Sequence, residues 1–172
     1  MADLKASLTR IFVAWKTRRF LKEFNERPVS FPVPASTVKN VLVILPRQVE
    51  HVDAAMALVR QLRNYYTEWH YMVLDMDKIM KDKLNRLDLP NDQFIEELSK
   101  NKFDFSLDLN SHFDIRIAYL LSMLKIEYRL HFLPAAEKYY NIIVQMNMDN
   151  SHFKNFDFVV NSLKTIFVKK GQ

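Results

Sequence analysis

A single α/β domain with a mostly parallel sheet of about five strands is the fold this chain predicts, and three observations carry it. Apolar runs of strand length, rich in Val, Ile, Leu and Phe, recur without an apolar–polar alternation, the pattern of strands covered on both faces. Segments with apolar residues at helical spacing separate them, and this order favours parallel pairing through right-handed crossovers. At 172 residues and 49% hydrophobic content, with 13 Phe and 7 Tyr, the chain can bury a substantial core.

In order, residues 3–26 predict an amphipathic helix, with Leu4, Leu8, Ile11, Phe12, Trp15, Leu21 and Phe24 forming its apolar face. Pro28, Pro32 and Pro34 interrupt any continuation, so residues 28–39 read as an extended linker. The run 40–45 (Asn-Val-Leu-Val-Ile-Leu) is the first strand, and 50–66 the helix after it. A second strand is expected over 69–75, a polar connection over 77–88 and a short helix over 92–101. The third strand covers 103–109 and is followed by a helix over 112–125. Strands over 128–132 and 140–146 and a helix over 153–169 close the chain. The organisation is therefore a basic N-terminal helix (1–27), a Pro-containing linker (28–39) and a three-layer, Rossmann-like domain (40–172).

Gly171 is the only glycine. Loops that wrap a phosphate with backbone N–H groups need residues without a Cβ, so neither G-x-G-x-x-G nor G-x-x-x-x-G-K-[ST] occurs. With no cysteine there is no disulfide, thiolate nucleophile or Cys-ligated zinc, which suits a reducing, cytoplasmic compartment. No apolar run approaches the ~20 residues of a membrane span, and no secretory signal is predicted at the start. The net charge of +5 is concentrated: residues 1–27 hold Lys5, Arg10, Lys16, Arg18, Arg19, Lys22 and Arg27 against Asp3, Glu23 and Glu26. A body that is almost neutral argues against nucleic acid as a partner.

Two His-x-Asp elements follow predicted strands: His51-Val-Asp53 and His112-Phe-Asp114. In a parallel sheet both fall at the carboxyl edge, where ligands of α/β proteins bind, together with Asp75, Asp77, Asp108 and Asn110. Imidazoles and carboxylates there can form a metal site or a base oriented by an acid. The alternative is capping, with Ser111 as N-cap and Asp114 on the first-turn amides, and with Glu50 and Asp53 at the positive end of their helix. The helix carrying Lys5, Arg10, Trp15, Lys16, Arg18, Arg19 and Lys22 fits an anionic lipid interface, a protein partner or a homodimer. Packing of its apolar face on the domain's own sheet is the remaining alternative.

The segment 40–63, from Asn-Val-Leu-Val-Ile-Leu45 to Leu58-Val-Arg-Gln-Leu-Arg63, resembles the opening of glycosyltransferase family 9, the heptosyltransferase-like enzymes. Phe103-Asp-Phe-Ser-Leu-Asp-Leu-Asn110, with the strand Tyr128-Arg-Leu-His-Phe132, resembles that family's FDLVIDLQG…RRIGF pattern. The departures fall on functional positions. Glu50 and His51 stand where the family has a Gly-Asp pair, and Ser111 and His131 stand where it has glycines. That family also needs a second domain for the sugar-nucleotide donor. The overall plan is similar to a family of small bacterial Rossmann-like proteins, chiefly from Bacteroidota, grouped as a domain of unknown function.

The expectation is a non-catalytic, Rossmann-like protein without a cofactor, cytoplasmic and peripheral to the inner membrane, acting through protein or membrane-surface contacts. The alternative is an acceptor-side glycosyltransferase-like enzyme or a metal-dependent hydrolase using His51, Asp53, Asp108, His112 and Asp114.

Overall fold

The structure, a computed structural model, describes residues 2–26, 29–133, 138–145 and 156–169. Helix α1 (Ala2–Asn25) precedes a two-residue strand β1 (Val33–Pro34), and β2 (Asn40–Ile44) leads into α2 (Val52–Tyr65). Then come β3 (His70–Leu74), α3 (Asp92–Ser99), β4 (Phe105–Asp108), α4 (Ile115–Met123) and β5 (Tyr128–His131). The last elements are β6 (Ile142–Ile143), α5 (Asp157–Ile166) and β7 (Phe167–Val168). The five-stranded sheet has the order β3-β2-β4-β5-β6 and is parallel throughout, so the α/β expectation holds.

Strand pleating divides the core between the two faces. Val41 and Val43 join Phe105, Leu107 and Leu130 under α2 and α5, whereas Leu42 and Ile44 join Ile117 and Leu121 under α1, α3 and α4. Both faces are covered, which is why β2 and β4 read as unbroken apolar runs. Trp69 anchors the first core: it stacks on Tyr66 at 3.9 Å between centroids, and its indole N–H donates to Ala35 O at 2.9 Å.

Four segments differ from the sequence reading. Residues 33–38 do not behave as a linker, because Val33, Ala35 and Val38 are buried and β1 pairs in parallel with β7. The last helix stops at Ile166, since Phe167 turns into that small sheet and packs on Phe105 and Trp69. The part of the predicted helix over 153–155 and the strand end at Met146 lie outside the described residues. Helix α4 begins at Ile115 rather than His112, with Asp114 as its N-cap accepting from Arg116 N at 2.8 Å; Ser111 is turned to other partners.

The fourth difference concerns α1. Val13, Leu21 and the threonines Thr9 and Thr17 are buried against the domain, each threonine hydroxyl donating to the carbonyl four residues earlier. Leu4, Leu8, Ile11 and Trp15, expected on the same face as Phe12, are instead 66%, 49%, 67% and 69% exposed. The helix has two apolar sides, and only one is covered.

With Gly171 the only glycine, three left-handed positions among the described residues are held by Asp88, Lys102 and Lys125, at φ 57°, 48° and 54°. Lys125 ends α4 and donates its N–H to Ser122 O at 3.1 Å, the place where a glycine normally closes a helix.

Candidate functional site

The chain leaves β2 toward one face of the sheet and β4 toward the other, so the helices that follow diverge and a crevice opens at the carboxyl ends of these neighbouring strands. A cavity of about 590 Å³ occupies it. Arg47, Gln48, Asn110 and His112 to Arg116 form one wall, and Lys5, Thr9 and Arg10 of α1 form the other.

Two arginines and two aspartates knit the loop wall. Arg47 grips Asp77 with Nε at 3.1 Å from both carboxylate oxygens and Nη2 at 2.6 Å from Oδ1. Its Nη1 reaches Asp114 Oδ2 at 3.2 Å. Arg116 binds the same Asp114 through Nη2 at 2.8 Å and Nε at 3.2 Å. The hydrogen bond from Arg47 lowers the Asp77 carboxyl below its ordinary range and in return raises the guanidinium. Gln48 Nε2 donates to Ser111 Oγ at 2.8 Å, and that hydroxyl lies 2.7 Å from His112 Nδ1. Gln48 Oε1 is buried and meets no donor among the described residues.

Beneath the wall sits Asp108, fully buried. Its Oδ1 accepts from Asn110 Nδ2 at 2.8 Å and its Oδ2 from the Tyr140 hydroxyl at 2.6 Å. Asn110 passes the order on: its Oδ1 accepts from Arg47 N at 3.0 Å and its Nδ2 donates to Leu45 O at 3.2 Å. His131, also buried, lies with Nε2 at 3.7 Å from Asp108 Oδ2 and beside the backbone of His112, while its Nδ1 accepts from Leu133 N. Burial pushes the Asp108 carboxyl and the Tyr140 phenol up, and pushes the His131 imidazole down despite the Asp108 charge. All three are therefore driven toward their neutral forms.

The five strand-end residues singled out from the sequence are only partly brought together. His112 and Asp114 line the cavity, and Asp108 supports it from below through Asn110 without reaching it. His51 and Asp53 lie at the start of α2, outside the lining, with Asp53 exposed in the first turn. Asp114 serves as helix cap and ion-pair partner at once. Among the described residues no three His, Asp or Glu side chains are grouped as metal ligands would be.

Sequence reasoning passed over Arg47, Gln48 and Arg116. Their one available signal was position, since Arg47 and Gln48 are the first long polar side chains after β2. It also passed over Arg129, which is completely buried on β5 beneath α1, with Phe24 at 3.7 Å and Phe20 at 4.9 Å from its guanidinium carbon.

The uncovered side of α1 forms a second surface. Leu4, Leu8, Ile11 and Trp15 recur at helical spacing, and the same line continues as Arg18, Arg19 and Lys22, all exposed. Arg19 pairs with Glu23 at 3.1 Å, and Lys16 lies 5.8 Å from the Trp15 ring. Lys5 and Arg10 are placed differently, on the cavity side of the helix, where Lys5 pairs with Asp88. No helix among the described residues is long and apolar enough to cross a membrane. Comparison with protein-family models, with curated proteins and with solved structures gives no match.

Proposed function

We propose that the protein is a peripheral membrane-surface module that docks on anionic lipid through the outer side of α1. The observation that carries this reading is the exposed line Leu4, Leu8, Ile11 and Trp15 running into Arg18, Arg19 and Lys22. A helix lying in the interface sinks its apolar residues among the acyl chains and sets its cations against phosphate headgroups. Charge favours lipid over a second copy of the chain. A parallel pair would oppose the three cations to their own copies, and a full antiparallel pair would press them onto the apolar half.

Burying a large apolar side chain contributes about 1.5–3 kcal/mol, and a basic residue near an anionic surface about 1 kcal/mol. Four half-to-two-thirds exposed side chains and three cations thus suffice for reversible attachment without a spanning helix.

The test is sedimentation of the full chain with phosphatidylglycerol or phosphatidylcholine vesicles, read together with tryptophan emission. Trp69 is buried, so a blue shift on binding reports Trp15. Sedimentation with the anionic vesicles alone is expected, with binding weakened at least about tenfold by Ile11→Glu, because each 1.4 kcal/mol lost is a factor of ten. Equal sedimentation of the wild type and Ile11→Glu, or no binding to anionic vesicles, overturns the reading.

A further inference from the structure

We infer that the cavity between β2, β4 and α1 is a binding site for a small phosphate monoester held by side-chain cations rather than by a backbone loop. Four cationic side chains line it, Lys5 and Arg10 from α1 and Arg47 and Arg116 from the opposite wall. Only two carboxylates share that lining, and both are already engaged, Asp88 by Lys5 and Asp114 by Arg47 and Arg116. With Asp77 pairing with Arg47 from just outside the lining, the four cations face three carboxylates, so the positive excess offered to a ligand is the one charge of Arg10, and no carboxylate is left unneutralised to repel it.

The arginines are also pre-organised. Arg47 is fixed by Asp77 through its side chain and by Asn110 through its backbone, and Arg116 is held in the fork of Asp114. A planar guanidinium held in place loses little freedom on taking up a phosphate oxygen. Arg10, by contrast, enters no ion pair among the described residues and stands across the crevice. Such a clamp of side chains does without glycine, because the long arginine stems span the distance that a Cβ denies to the backbone.

The rest of the molecule bound is indicated by the remaining walls. Phe113, Ile115 and Leu87 offer an apolar side for a ring, and the volume of about 590 Å³ admits a sugar phosphate or a mononucleotide. The position also matches the physics of doubly wound sheets, where the crevice between diverging connections receives the ligand.

The test is a thermal-shift and calorimetric titration of the full chain, without lipid, using ribose 5-phosphate and AMP as probes and ribose and adenosine as their uncharged counterparts. The phosphate esters are expected to raise Tm saturably, by about 5–10 °C at a hundredfold excess over Kd. Ribose and adenosine should not. Arg10→Glu, at an exposed position outside the ion-pair network, should weaken the esters at least about tenfold, and Arg47→Met should do the same. The vesicle-defective Ile11→Glu should keep ester binding, which separates this site from the lipid-facing side of α1. Absence of a saturable shift with either ester, an equal shift with ribose or adenosine, or unchanged affinity in Arg10→Glu overturns the assignment.

Discussion

Replacing Arg129 by methionine should make the protein more stable. The guanidinium is completely shielded from solvent and has no carboxylate partner among the described residues. One N–H group, on Nη1, donates to Ser122 Oγ at 3.2 Å, while Nε and Nη2 have no acceptor there. Burial pulls its pKa from the ordinary guanidinium value down to about 9, which at 1.36 kcal/mol per pH unit corresponds to about 5 kcal/mol of disfavoured charge. Against this stand the stacking of Phe24 and Phe20 on the cation, about 0.5–2 kcal/mol each, and one hydrogen bond of about 1 kcal/mol. Ser122 Oγ keeps its bond to Ala118 O in the variant, and methionine fills much of the same space beside the two rings. The balance favours Arg129→Met by about 0–3 kcal/mol, in line with the neutral-to-stabilising effect of removing buried charge elsewhere. Urea unfolding monitored by Trp69 fluorescence should show a higher midpoint at unchanged slope, with Tm raised by up to about 12 °C. A loss of more than about 1 kcal/mol would refute the reasoning, because it would mean that ring stacking outweighs desolvation at this site.

Two further outcomes follow from the backbone and from buried titration. Lys125→Gly should stabilise by about 0.5–1 kcal/mol, because the left-handed conformation at φ 54° costs a residue with a Cβ more than it costs glycine; thermal unfolding checks it, and a lower Tm contradicts it. His131 has its pKa lowered from 6.5 by burial, so between the folded value and 6.5 the unfolded chain binds more protons. Its contribution to stability is complete above pH 6.5 and falls away on acidification through that window. His131→Gln should flatten the rise of Tm between pH 5 and 7 relative to the wild type, and an unaltered slope would show that His131 does not titrate this way.

Much of the scaffold was legible because burial on both faces leaves a plain mark. The runs 40–45 and 103–109 read as strands covered on both faces, and β2 and β4 lie side by side inside the sheet. The helix α1 was misread for an equally physical reason. Periodicity reports which residues share a side, but it does not say which side meets the domain. Val13, Thr9 and Thr17 look like the weaker face, yet the small threonines let α1 approach α4 closely while satisfying their own hydroxyls. The linker was misread because proline signals extended backbone equally well in a loop and in a short edge strand, and Val33 pairs with Phe167, distant in sequence. At the crevice, His112 and Asp114 were found from strand order alone. Arg47 and Arg116 were not, because Arg47 becomes part of a site only when its partners Asp77 and Asp114 arrive from other segments, and Arg116 joins it only by sharing Asp114.

The near absence of glycine has a different meaning once the crevice is seen. Backbone N–H groups can cradle an anion only if the loop has no Cβ in the way, and at this sheet edge the loop positions are Arg47, Gln48, Asn110, Ser111 and His112. Asp108 and Tyr140 hold that loop from beneath, through Asn110, and both are driven toward neutrality by burial. The buried support thus adds little negative charge under a wall whose two arginines are already balanced by Asp77 and Asp114. The same helix that closes the crevice with Lys5, Thr9 and Arg10 turns Ile11 and Trp15 outward. A ligand bridging Arg10 to Arg47 would tighten α1 on the sheet, and lipid bound to the outer side acts on that same helix. Any effect of one on the affinity of the other must be reciprocal. The size of the ester-induced Tm shift with and without anionic vesicles therefore measures whether α1 couples its two sides or serves them independently.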